Sequence, residues 1–198
     1  LDSLLLAPRT QPRPLDLMQV DADGDLRWCA NMASGGFGAD VTVETHDSLK
    51  QVLGGLAYLV TGIARLGQFD PIGARVSGPG FAWHGEFIAL GVGNGRQAGG
   101  GHVLCPGARV DDGLLDLTLI PPLSGELVAT MTTMVSEGRD AALARHAVQA
   151  RLDRLEIEGA QPLTLNLDGE PVQARRFDIR CVPAKLLMHL PGGAFEAE

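Results

Sequence analysis

The chain is 198 residues long, with 45% hydrophobic and 20% charged residues and a formal net charge of −8 at pH 7. This composition is typical of a globular domain with a substantial core and excludes a mostly disordered protein. The excess of acidic residues also argues against nucleic-acid binding, because gripping a phosphate backbone requires many cations. No apolar run approaches the roughly 20 residues that a membrane-spanning helix needs.

The two ends of the chain differ in composition from its centre. Residues 1–14 contain three prolines and two arginines and are predicted to form an extended arm, and residues 191–198 are predicted to be a tail. Residues 15–190 are expected to form one domain. The chain begins with leucine, so we expect it to be part of a longer protein. Its three widely separated cysteines fit neither a disulfide framework nor a zinc site, and predict buried thiols in a reducing compartment.

The first predicted element is a β-hairpin, in which the runs Leu15–Val20 and Leu26–Met32 flank an Asp-Gly turn at Asp21–Asp25. Apolar residues then recur at helical spacing from Ser48 to Leu66, which predicts a helix. A second helical stretch, with a break near Glu137-Gly138, is predicted from Ser124 to about Gln149, because helix-forming residues dominate there.

Short apolar or β-branched runs, separated by glycine and proline, predict the remaining strands. These runs cover residues 74–76, 81–83, 86–92, 114–120, 152–157, 163–167, 177–182 and 186–190. The whole pattern predicts a mainly β fold, an antiparallel β-sandwich with two or three helices.

Two segments are rich in glycine. Gly91–Gly101 matches the spacing of a dinucleotide-binding fingerprint, but further glycines and then Pro106 follow where that fingerprint needs a helix. We therefore interpret it as a strand followed by a turn, or as a loop whose backbone approaches a ligand closely. Asn31–Gly38 is interpreted as a loop at a strand end, because Ser34 lacks the preceding glycine that a hydrolase nucleophile elbow requires.

Two Asp-Gly turns offer carboxylates for chemistry. Asp111 and Asp112 could bind a hard cation, although a solvated turn is the commoner explanation of such a pair. Asp168 and Glu170 lie in a second turn, which Pro171 stiffens. This pair could supply a general base and an orienting group, and an ordinary hairpin is the alternative.

Five motifs, taken in order, resemble the C-terminal domain of YegS-like bacterial lipid kinases. These enzymes belong to the diacylglycerol kinase catalytic family, which includes sphingosine kinases and is related to NAD kinases. The motifs are Asn31–Gly38, Gly93–Gly101, Cys105-Pro106, Asp112–Leu115 and Asn166–Pro171, and the resemblance extends over about residues 15–190. It implies that the chain is the β-sandwich second domain of a two-domain lipid kinase, whose N-terminal nucleotide-binding domain is missing.

The resemblance also implies roles for individual residues. Glu170 falls on the family's general base, which deprotonates a hydroxyl of a diacylglycerol- or phosphatidylglycerol-like lipid. The side chain of Asp112 and the backbone carbonyls of Arg109 and Leu114 fall on a structural site for Mg²⁺, or for Ca²⁺ in its place. The family's Gly-Gly-Asp-Gly-Thr motif for ATP is not in this sequence, so no residue is assigned to ATP and the isolated domain is expected to be inactive.

The resemblance further implies a cytoplasmic enzyme that touches the inner membrane surface peripherally to reach its lipid substrate. A homodimer is one option for its oligomeric state. Two other functions stay open on the sequence. One is a non-catalytic β-sandwich module that binds a lipid or a protein, and the other is an NAD kinase-like enzyme that phosphorylates a ribose hydroxyl.

Overall fold

The computed structural model describes residues 10–36, 71–99, 102–122 and 147–189. These residues contain strands and turns and no α-helix. The predicted helix at Ser48–Leu66 lies outside the described residues, as does nearly all of the second one. Its predicted end at Gln149 is wrong, because Val148–Leu152 is a strand whose alternating side chains pair antiparallel with a neighbouring strand.

Twelve strands are formed by the described residues. They are β1 (Pro12–Ala22), β2 (Asp25–Cys29), β3 (Met32–Gly36), β4 (Ile72–Gly78), β5 (Phe81–Phe87), β6 (Ala89–Gly93), β7 (Gln97–Ala98), β8 (His102–Val103), β9 (Leu115–Ile120), β10 (Val148–Leu152), β11 (Arg154–Leu167) and β12 (Glu170–His189). β1 already includes Pro12–Pro14, which composition assigned to the arm.

Ten of the strands form one antiparallel sheet. Eight strands follow the order β10-β9-β6-β3-β11-β12-β1-β2. The other two branch from β11, because β4 pairs with β11 and β5 pairs with β4. The short strands β7 and β8 pair with each other. The prediction of a mainly β, antiparallel fold is confirmed.

Two long strands replace four predicted short ones. β11 continues from Arg154 to Leu167 through an irregularity between Glu158 and Leu163. β12 likewise runs for 20 residues, and its pairing with β1 shifts register between Leu15 and Leu17. Proline and glycine in these stretches therefore mark bulges rather than strand ends.

The core lies where the sheet divides. β11 pairs with β4 through Glu156–Gly159 and with β3 through Leu165–Leu167, so two branches of the sheet leave the same strand. Inward-facing side chains of both branches form one buried cluster, to which Phe87, Phe177 and Met18 contribute the largest fully buried side chains. Burial of this apolar surface stabilises the sandwich and fixes the strands that carry the motifs.

Candidate functional site

Three of the motifs lie side by side in the sheet. β3 is placed between β6 and β11, so that Ser34 is opposite both Gly91 and Asn166. The expectation that Asn31–Gly38 is a loop is therefore wrong for Met32–Gly36, which is a central strand. Its small residues permit close packing, since a Cβ on Gly35 would lie 2.7 Å from Cδ2 of Leu165.

The second glycine-rich segment begins as strand and continues as turn. Gly93 ends β6, and a Cβ added there would lie 2.7 Å from the Cβ of Cys105, so Cys105 packs directly against this glycine. Gln97–Ala98 then forms β7 rather than a helix. This arrangement agrees with a strand followed by a turn, and the described residues of 91–99 and 102–122 contain no α-helix N-terminus of the kind a dinucleotide site needs.

The Asp-Gly-Glu turn connects β11 to β12. Asp168 and Gly169 both have positive φ, at 51° and 106°, as a two-residue hairpin turn of this kind requires. The Asp168 carboxylate accepts the N–H groups of Ala30 and Met32 at 2.5 and 2.9 Å. It is therefore bound to the segment between β2 and β3, and it does not orient the Glu170 side chain directly.

Glu170 is exposed at the first position of β12. Among the described residues, its carboxylate takes part in no hydrogen bond or ion pair. Arg27 is close enough for a minor attraction to Glu170, although the pKa of Arg27 is raised chiefly by its hydrogen bond to Asp25 and the charge of that residue. The Glu170 carboxylate is thus available to a substrate group on a turn of defined backbone.

The predicted metal ligands lie on one loop before β9. The Asp112 carboxylate accepts the N–H of Leu114 at 3.1 Å and forms an ion pair with Arg151 of β10. Arg151 also contacts the Asp116 carboxylate at 3.3 Å, and Arg109 contacts Asp111 at 3.6 Å. Burial raises the pKa of Asp116, and Arg151 opposes that shift.

This loop offers donors that suit a hard cation. One carboxylate, at Asp112, and the backbone carbonyls of Arg109 and Leu114 are oxygen donors, which Mg²⁺ and Ca²⁺ prefer. The Asp112 carboxylate is paired with the guanidinium of Arg151, so a bound cation would compete with Arg151 for that carboxylate. Among the described residues, no three His, Cys, Asp or Glu side chains are grouped as a metal site. The donors are therefore of the type that a hard cation prefers, and most of them are carbonyls.

Asp16 is an important residue that the sequence analysis missed. It is 3% exposed, and its carboxylate accepts the N–H of Gly113 at 2.7 Å and the N–H of Ala184 at 2.8 Å. Its own N–H donates to the carbonyl of Val110 at 2.8 Å. A buried acid inside a strand pattern was the signal that could have revealed it, because such a side chain needs polar partners. Asp16 anchors the predicted cation-binding loop to β1 and β12.

Cys29 and Cys105 are free, buried thiols, as predicted, whereas Cys181 is free but only half-buried. Burial raises the pKa of Cys105 to about 12. Burial and the nearby charge of Asp16 raise the pKa of Cys181 to about 12. Burial also raises the pKa of Cys29, with a smaller effect from Asp168. The thiols are therefore protonated at neutral pH, and a nucleophilic role for them is not supported.

The part of the chain that the structure describes has no helix long and apolar enough to cross a membrane.

The sequence of residues 31–189 matches the family described as "YegS C-terminal NAD kinase beta sandwich-like domain". Among curated proteins, one named "Probable lipid kinase YegS-like" from Xanthomonas oryzae pv. oryzae (strain MAFF 311018) is 62% identical over 96% of this chain and 62% of its own length. A protein with the same name from Pseudomonas aeruginosa (strain UCBPP-PA14) is 48% identical over 92% of this chain and 58% of its own. The chain thus spans about 60% of the length of these relatives.

Solved structures share the fold at low sequence identity. A diacylglycerol kinase-like protein from Bacillus anthracis str. Sterne superposes with a TM-score of 0.70 at 19% identity, over 95% of this chain and 60% of its own. A diacylglycerol kinase from the same strain superposes with a TM-score of 0.62 at 15% identity, over 95% and 57%. Since the family match covers most of the described strands, the chain belongs to the YegS C-terminal, NAD kinase β-sandwich-like domain family.

Proposed function

We propose that this chain is the acceptor-side domain of an ATP-dependent lipid kinase in which Glu170 is the general base. The observation that carries the proposal is the exposed Glu170 carboxylate, which is unpaired among the described residues and lies on a turn that Asp168 fixes to the segment between β2 and β3. The relatives named as lipid kinases support the reaction class.

Phosphoryl transfer to an alcohol needs the acceptor oxygen held in line with the phosphorus atom and relieved of its proton. A carboxylate on a rigid turn suits the second task, because it can accept the proton as the oxygen attacks. ATP is bound by the part of the protein outside this chain. The intact kinase, meaning this chain joined to the remaining length that its curated relatives possess, is therefore active, and the isolated chain is inactive.

The acceptor is a membrane lipid with a free hydroxyl, of the diacylglycerol or phosphatidylglycerol class. The enzyme works on the cytoplasmic side of the inner membrane and contacts its surface peripherally, since the lipid tails stay in the bilayer. With a net charge of −8 on this chain, contact depends on the lipid head group and apolar side chains more than on attraction to anionic lipids. A homodimer is compatible with this role.

An acceptor assay tests the proposal. The intact kinase is incubated with radiolabelled ATP, Mg²⁺ and vesicles that contain diacylglycerol or phosphatidylglycerol, and in parallel with NAD. We expect label in a lipid, none in NAD, and none in either acceptor when the 198-residue chain is used alone. Label in NAD would favour the ribose kinase instead, and absence of any transfer would favour a non-catalytic binding module.

We also propose that the loop before β9 binds a structural Mg²⁺, or Ca²⁺ in its place, through Asp112 and the carbonyls of Arg109 and Leu114. The bound cation would cross-link this loop by ionic contacts and would take no part in the transfer step. Asp16, which accepts the N–H of Gly113, holds the middle of the loop in place for these ligands.

Replacement of Arg151 by glutamine is expected to tighten Ca²⁺ binding about two- to fivefold, the range of a half-exposed charge pair. The reason is that the guanidinium of Arg151 pairs with the same carboxylate. Calorimetric titration of the nucleotide-free intact kinase measures this change. Arg154→Gln removes an exposed arginine on β11 and is the control, whereas Asp112→Asn should weaken binding at least tenfold. Unchanged binding in Asp112→Asn would contradict the site.

A further inference from the structure

The three residues between β2 and β3 have an unusual set of partners. The Asp168 carboxylate accepts the N–H groups of Ala30 at 2.5 Å, Asn31 at 3.1 Å and Met32 at 2.9 Å. The N–H of Asp168 in turn donates to the carbonyl of Met32 at 3.2 Å. Four of the six backbone polar groups in this segment, which we call the joint (residues 30–32), are therefore bound by one residue of the Asp-Gly-Glu turn.

The other two backbone groups of the joint, the carbonyls of Ala30 and Asn31, are bound by the second glycine-rich segment, just after β6. The side-chain amide of Asn94 donates to the carbonyl of Ala30 at 2.8 Å, and the N–H groups of Asn94 and Gly95 both donate to the carbonyl of Asn31 at 2.9 Å. The Asn31 side chain donates to the carbonyl of Gln97 at 2.8 Å. The joint thus connects the turn that carries Glu170 to the turn that follows β6.

The chain contains a second turn with the same geometry. Asp23 and Asp168 share a φ of 51°, and each is followed by a glycine of positive φ. The Asp23 carboxylate accepts the N–H groups of Arg175 at 2.7 Å and Arg176 at 3.0 Å, as Asp168 does for the joint. Asp23 therefore ties its turn to the strand β12, and its carboxylate accepts no N–H group from the described residues of the turn that follows β6.

We infer that Asp168 is a positioning residue. Through the joint, it sets the location of Glu170 relative to the glycine-rich turn that follows β6. The inference rests on the proposed role of Glu170 as general base. Without the Asp168 carboxylate, three N–H groups lose their acceptor and the turn is no longer held against the joint. A displacement of about 1 Å in a reacting group can lower a rate about 100-fold, so a small shift of the turn suffices.

The test compares Asp168→Asn with Asp23→Asn in the intact kinase. Asparagine tolerates a positive φ, so both turns can still form. Its NH₂ group, however, is a donor and cannot accept a hydrogen bond from a backbone N–H. We expect Asp168→Asn to lower kcat about 10- to 100-fold with KM for ATP and lipid changed less than about threefold. The pH dependence of kcat should keep its shape, because the proposed general base is still present. Asp23→Asn should keep kcat within about twofold, although it should lower the melting temperature about as much as Asp168→Asn does.

Two results would overturn the inference. One is normal kcat in Asp168→Asn, and the other is an equal loss of kcat in Asp23→Asn, which would make both carboxylates merely structural. Asp168→Ala, which lacks any acceptor, should lose more kcat than Asp168→Asn, and a melting curve verifies that each variant is folded. Glu170→Gln is assayed alongside: if it is inactive while Asp168→Asn is normal, only the positioning role fails, and if it is active, the general-base assignment fails and the inference with it.

Discussion

Replacement of Glu170 by glutamine is expected to lower kcat of the intact kinase by about 10²- to 10⁴-fold, the usual contribution of a general base. Glutamine keeps the size of the side chain and its hydrogen-bonding reach but cannot accept the proton of the acceptor hydroxyl. Since the Glu170 carboxylate has no hydrogen bond or ion pair among the described residues, the substitution removes no contact that stabilises the fold. The melting temperature and the KM for ATP should therefore be unchanged.

The control for this experiment is Glu158→Gln, which makes the same chemical change at an exposed position of β11. We expect its kcat to stay within about twofold of the parent enzyme. Steady-state kinetics with lipid vesicles, in the pH range where the parent enzyme is most active, measure both variants. A Glu170→Gln enzyme with more than about a tenth of the parent kcat would contradict the general-base assignment.

Much of the fold could be predicted because β-strand periodicity and turn chemistry are local properties. The Asp-Gly turns at Asp23 and Asp168 were visible in the sequence, and each has the positive φ values that such turns require. The lengths of β11 and β12 were less predictable. Their bulges depend on pairing with strands distant in sequence, as the register shift opposite Leu15 and Leu17 illustrates.

The candidate site shows a similar division between local and tertiary information. Glu170 was assigned through the motif around it, and its exposed position at the start of β12 agrees with that assignment. The direction of the Asp168 carboxylate could not be predicted, because the N–H groups that donate to it, at residues 30–32, lie far away in the sequence. Likewise, Arg151 becomes the partner of Asp112 only because β10 pairs with β9.

Asp16→Ala is expected to lower the free energy of unfolding by about 2–4 kcal/mol, because two N–H groups would lose the buried carboxylate that accepts them. These are the N–H groups of Gly113 and Ala184, at 2.7 and 2.8 Å from the carboxylate oxygens. Ala184 has a φ of 53°, which an alanine rarely adopts, so its conformation depends on this hydrogen bond. Urea denaturation followed by tryptophan fluorescence measures the change, since both tryptophans lie in described strands.

Asp178→Ala removes an equal charge from an exposed position on β12 and should change the unfolding free energy by less than about 0.5 kcal/mol. Asp16→Ala should also weaken Ca²⁺ binding, because Gly113 lies between the proposed ligands Asp112 and Leu114 and would no longer be held. If Asp16→Ala lowers the free energy of unfolding by less than about 1 kcal/mol, desolvation of the buried carboxylate opposes folding nearly as much as its hydrogen bonds favour it. Unchanged Ca²⁺ affinity together with a large loss of stability would show that Asp16 anchors β1 but does not set the geometry of the loop before β9.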